Sequence, residues 1–272
     1  MTAQRWLFLV YAESGAVGFA LAAVSLPSDP VPEEVPGPRR LRRAIRKSAR
    51  FNVRGVAFPF TPTRMDVRDL DPRRFVTRFT PTLTAYFGAI FLFFVGFSAF
   101  FAPLPAYLTD VGFDTNGVFA LYVVVNLAAT ASFRTAGSLA TRYDVAVLQS
   151  LGLGTRALAL PAVVLVGLAF GATTMGLAVT ALVFVVIGLS WALIAVTAGT
   201  LVTRLSPDSI RGEALGIYSA LSTFAGGVGS IVGGALAAWG YGLAFGVAGG
   251  LVAIGAVVVF LGRSDTEASR SV

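Results

Sequence analysis

The sequence predicts an all-α integral membrane protein with about seven transmembrane helices. Three observations carry that expectation. Of 272 residues, 56% are hydrophobic and only 13% charged, where a soluble domain carries about 25% charged residues. The apolar residues run in stretches of about 20, long enough to cross roughly 30 Å of hydrocarbon. The basic residues cluster: thirteen of the 21 Lys+Arg lie between Arg39 and Arg78. A net charge of +7 concentrated there sets membrane topology and does not call for a nucleic-acid partner.

Cysteine and histidine are both absent. That excludes disulfides, thiolate or imidazole metal sites, and Ser-His-Asp or Cys-His catalysis. No clustered acidic pair and no glycine-rich phosphate loop takes their place. The expectation is a protein that is not an enzyme, with no metal and no cofactor.

Residues 1–27 hold the first apolar stretch, Trp6–Leu26. A cleavable leader is the rival reading, since Ala20-Leu21-Ala22 resembles a cleavage site. Glu13 inside the stretch and the arginine-rich segment after it favour a retained span. Residues 28–81 form a polar linker whose prolines, Pro30 to Pro81, prevent regular helix over much of its length. Within it Arg39–Arg50 places Leu41, Ile45 and Ala49 on one helical face. Such a segment either lies on an anionic membrane surface or simply holds the linker in the cytoplasm.

Residues 82–262 supply six more spans. Thr82–Leu108 is rich in phenylalanine and closes on Pro103-Leu104-Pro105. Gly117–Leu139 carries Asn126 and Arg134. The segment Ala140–Gln149 reads as a loop holding Arg142. Leu151–Phe170 has Arg156 near its start, and Met175–Leu201 carries Trp191. Arg211–Gly240 and Leu243–Leu261 complete the set, and residues 263–272 form a polar tail. With the linker cytoplasmic, Arg142, Arg204, Arg211, Arg263 and Arg270 all fall inside. The outer loops after the linker have no Lys or Arg, as the positive-inside rule requires.

The Arg211–Gly240 stretch repeats small residues every fourth position: Ala225, Gly229, Gly233 and Ala237, with Gly226, Ser230 and Gly234 beside them. At 3.6 residues per turn these form stripes on one helix face. In lipid such a face lets two helix backbones approach closely. A packing role without chemistry is the simplest assignment for these residues.

Phe101–Leu160 resembles the opening of a major facilitator superfamily half. The family's second helix in a half ends in G-x-L-A-D-R-x-G-R-R. Gly137, Leu139, Ala140 and Arg142 match it, while Thr141 replaces Asp, Asp144 replaces the second Gly, and Val145 and Ala146 replace the arginines. Gly229–Gly234, GSIVGG, is similar to the G-P-x-x-G-G of drug-exporting members, with Ser230 in place of Pro. Arg211–Ala220 looks like the usual entry to the family's helix eleven.

The resemblance implies that Trp6–Leu26 is helix six, 28–81 the interhalf linker, and the last six spans one half built as a 3+3 inverted repeat. It implies a permease, of secondary-transport or efflux type, that moves a small-molecule solute by alternating access in the plasma membrane. Its linker and C-terminus would be cytoplasmic. Its partners would be the lipid bilayer and either an N-terminal half or a second copy of the chain; a non-transporting subunit packed on a partner is the alternative. Helices seven, eight, ten and eleven face the cavity in that family, which makes Tyr86, Asn126, Trp191, Tyr218 and Ser222 cavity candidates. Trp and Tyr also anchor at interfaces and Asn also joins helices. Arg134 is singled out by its own chemistry, since an arginine inside a span costs about 2.5–3.5 kcal/mol at the centre. It either contacts solute or gate, or it snorkels to the nearby inner surface or joins a structural ion pair.

Overall fold

The computed structural model describes residues 79–207 and 210–268, all within the unit Leu70–Val272. The expected first span with Glu13, and nearly all of the linker, lie outside the described residues. Among the described residues seven helices follow one another: α1 Pro81–Phe101, α2 Leu104–Val111, α3 Thr115–Arg142, α4 Val145–Phe170, α5 Thr174–Leu205, α6 Arg211–Ala237 and α7 Tyr241–Ala268. They supply six segments long and apolar enough to cross a membrane, with α1 and α2 together forming the first, Pro81–Val111.

Local chemistry sets the breaks. The Thr80 side chain accepts from Leu83 N at 3.2 Å and Pro81 opens α1, a position where its missing N–H costs nothing. Pro103 cannot continue the ladder, so the single expected span Thr82–Leu108 is broken after Phe101. Asp114, Asp144 and Thr173 cap α3, α4 and α5, accepting from Gly117, Val147 and Gly176 at 2.8, 2.9 and 3.0 Å. Gly112 and Gly171, with φ of 108° and 56°, turn the chain out of α2 and α4, a backbone region that suits glycine.

Two sequence boundaries need correction. Ala140–Gln149 is not a loop: α3 runs through Arg142, and after Tyr143 and Asp144 the chain is helical again. The fourth span accordingly begins at Val145, six residues before the expected Leu151. That moves Arg156 from near the start of the span to its middle.

The main packed pairs are α1 with α6, α1 with α7, α3 with α5, α4 with α5, and α4 with α7. Exchanging the set α1–α3–α4 for α5–α6–α7 turns this list into itself. Each set contains three crossings, so the second runs opposite to the first. The packing therefore has the internal logic of an inverted repeat.

Glycines sit at all five of these interfaces. Cβ atoms on Gly229 and Gly233 of α6 would overlap the Val95 and Ala99 carbonyls of α1. A Cβ on Gly96 would lie 2.6 Å from Ala248 O of α7, and one on Gly152 would lie 3.1 Å from Ile194 of α5. Gly188 of α5 rests on the Val125 carbonyl of α3. Gly249 of α7 approaches Ala157 O of α4, where a Cβ would be 2.6 Å away. Pro161 lies inside α4 and offers no N–H to that carbonyl, so the glycine contact covers an acceptor the helix leaves open. In lipid, close packing of this kind replaces the hydrophobic drive available in water.

Candidate functional site

Aromatic side chains join four helices along the less-covered side of the bundle. Tyr218 of α6 meets Phe94 of α1 edge-on at 6.2 Å, and Phe94 meets Phe97 at 6.3 Å. Phe97 then contacts Trp191 of α5 at 5.4 Å and Phe101 at 4.7 Å. Phe101 reaches Tyr122 of α3 at 6.4 Å. All six rings are half-buried, so they form a surface and not a sealed core. Edge-on and tilted geometries of this kind suit the quadrupoles of aromatic rings.

Behind that surface lies Arg156, at 1% exposure the largest fully buried side chain. Its guanidinium carbon is 5.1 Å from the Phe97 ring, 5.5 Å from Trp191 and 6.0 Å from Phe93. Nη2 donates to the Ile187 carbonyl at 3.3 Å, while Nε and Nη1 have no acceptor among the described residues. Among the described residues, Asp110, Asp114, Asp144 and Glu213 sit in turns or at helix ends. None of them lies within the bundle to balance this charge. The three rings give it cation–π contacts.

A second polar layer lies one heptad away. The Tyr86 hydroxyl donates to Gln149 Oε1 at 3.1 Å and to the Ala198 carbonyl at 3.3 Å. Residues 86 and 93, 149 and 156, and 198 and 191 are each seven apart on α1, α4 and α5, or about 10.5 Å along a helix. Gln149 Nε2 and Ser150 Oγ are also buried without a partner. Among the described residues, the buried polar side-chain atoms lacking a partner thus all fall on two turns of α4.

The residues singled out from the sequence separate into groups. Trp191 and Tyr218 belong to the aromatic surface. Asn126 and Arg134 are exposed on α3, Asn126 Nδ2 donating to Tyr122 O at 2.7 Å. With Thr130 and Ser138 they make an exposed polar stripe at every fourth position. Ser222 is half-buried and donates to its own helix at Ser219 O, 2.9 Å away. Tyr86 departs from its cavity expectation: it is 4% exposed and its hydroxyl is spent on Gln149 and Ala198.

The small-residue stripes also divide. Ala225, Gly229 and Gly233 are buried, the two glycines against α1. Gly226 is half-buried near Ser98, while Ser230 and Gly234 are exposed among the described residues, Ser230 donating to Gly226 O at 3.0 Å. In the loop motif Gly137, Leu139 and Ala140 are half-buried and Arg142 exposed, all on the last turns of α3.

Arg156, Gln149 and Tyr122 were not foreseen as site residues. The signal for Arg156 was present in Asp144, a helix-capping residue type that starts the span early enough to centre the arginine.

A family model described as Major Facilitator Superfamily matches residues 2–204 and 153–272. The two matched stretches share residues 153–204. No curated protein matches the chain.

Proposed function

The chain belongs to the major facilitator superfamily, and on that premise we propose that it moves a small solute across the membrane by secondary, alternating-access transport. It is a multi-pass membrane protein of a transporter family, not of an enzyme family. The observation that carries the finer reading is the exposed stripe Asn126, Thr130, Arg134 and Ser138 on α3. Turned to lipid, such a stripe is costly. Turned to a water-filled cavity it is solvated, and it sits beside the aromatic surface formed by α1, α5 and α6.

Asn126, Arg134, Trp191, Tyr218 and Ser222 then line one wall of the solute path. Tyr86 lies behind that wall as a helix tie. A second six-span unit closes the cavity, either an N-terminal half or a second copy of this chain. The α3 and α6 spans are the least covered of the six, which leaves them free to meet it. The arginine-bearing helix ends face the cytoplasm of a plasma membrane by the positive-inside rule.

The test uses the natural absence of cysteine. Thr130→Cys is compared with Leu158→Cys, which lies on the outside of α4 at 77% exposure. A membrane-impermeant maleimide is applied to right-side-out and inside-out vesicles. Labelling of Thr130→Cys from both sides, with Leu158→Cys unlabelled, supports alternating access. Labelling from one side only favours a non-transporting subunit. A site as inert as Leu158→Cys refutes the cavity.

A further inference from the structure

We infer that Arg156 anchors an anion-binding site, taking the carboxylate of an organic anion whose apolar body rests on the Phe94–Phe97–Phe101–Trp191 surface. The inference rests on the reading that this surface lines the solute path.

Three observations lead there. The first is unspent donor capacity. Nε and Nη1 of a guanidinium buried to 1% exposure find no acceptor among the described residues. Stranding such donors away from water is costly, and a carboxylate answers both the charge and the in-plane N–H groups. The second is that, among the described residues, Asp110, Asp114, Asp144 and Glu213 lie at helix ends and turns and none of them balances the charge. Position within the bundle supplies the third. Phe93, fully buried, closes one side of the guanidinium, but Phe97 and Trp191 are half-buried and belong to the open surface.

The surroundings define the ligand. The rings beside the guanidinium are aromatic, so the body of the solute is apolar or aromatic and gains from stacking. Gln149 lies two turns away, about 10.5 Å along α4, too far to hold the same carboxylate. Its amide oxygen is already used by Tyr86. Of the two buried polar α4 side chains, Arg156 is thus the one that holds the headgroup, and a neutral isostere of the same shape loses the charge-assisted bonds.

The experiment is equilibrium binding to the purified full chain in detergent. Trp191 is one of three tryptophans, so Trp6→Phe with Trp239→Phe leaves it as the sole reporter, 5.5 Å from the guanidinium carbon. Benzoate is titrated against benzamide and benzyltrimethylammonium. The expected result is a saturable change in Trp191 emission with benzoate, at half-saturation at least about tenfold below that of benzamide. The cation should give no response. Arg156→Lys should weaken benzoate binding, and Arg156→Gln should abolish it. Because Arg156→Gln could disturb folding, Phe97→Ala provides a second arm: with the roof ring removed, benzoate should bind faster in stopped flow.

Equal responses to benzoate and benzamide would overturn the inference. So would undiminished binding to Arg156→Gln, or no benzoate response from either the parent or Phe97→Ala, the result expected if ordered water alone satisfies the arginine. The measurement requires no vectorial movement. Benzoate binding combined with an inert Thr130→Cys removes the transport reading alone. Two-sided labelling without benzoate binding removes the anion site alone.

Discussion

The Tyr86 hydroxyl donates to Gln149 Oε1 at 3.1 Å, joining α1 to α4 across 63 positions of sequence. The same hydroxyl reaches Ala198 O of α5 at 3.3 Å, so one phenol ties three helices. Both side chains are nearly or fully buried, at 4% and 0% exposure.

Removing that hydroxyl leaves Gln149 with neither end of its amide bonded to a protein partner. Tyr86→Phe should destabilise the chain by about 1–3 kcal/mol, the usual cost of stranding a buried polar group. Tyr86→Phe combined with Gln149→Leu should recover much of the loss, because both partners are then apolar. Thermal unfolding in detergent measures the cycle. A double variant less stable than the sum of the single effects would show that the pair has been misassigned.

Gly233 and Gly234 are adjacent in sequence and differ in what they meet. A Cβ on Gly233 would collide with the backbone of Ala99, while one on Gly234 has nothing within 4 Å. Gly233→Ala should cost about 1–3 kcal/mol through overpacking. Gly234→Ala should be neutral or slightly stabilising, since alanine is the better helix former. Matching melting temperatures for the two variants would argue against the α1–α6 contact.

Topology follows from the arginines. Six spans separate the linker from the tail, and Arg142, Arg204, Arg211 and Arg263 mark the same end of the bundle. Reporter fusions after Arg50 and Arg270 should therefore both report the cytoplasm. Reporters on opposite sides would mean that a span has been miscounted.

Much of the site was hidden in the sequence for one reason: hydropathy does not fix the rotation of a helix about its own axis in lipid. In water an apolar stripe marks the buried face. In a membrane the surroundings are as apolar as leucine, so exposed Leu158 and Leu168 look no different from buried Leu153 and Leu160. Arg134 and Arg156 posed the same question in sequence, each an arginine inside an apolar stretch. Packing turns Arg134 outward and Arg156 inward.

The sequence by itself determined the all-helical membrane class, the order of the six described spans, with the start of the fourth set six residues late, and the arginine-bearing end. Length, hydropathy and charge bias act locally along the chain and are legible without contacts. The family resemblance also lay in short local motifs. Tertiary structure alone decided that Ala225, Gly229 and Gly233 are buried while Ser230 and Gly234 are not. It alone drew Tyr86 away from the open surface and set Arg156 beneath Phe97 and Trp191. Those outcomes depend on where α1, α4, α5 and α6 meet, and steric fit between backbones settles that where the surrounding apolar medium gives no direction.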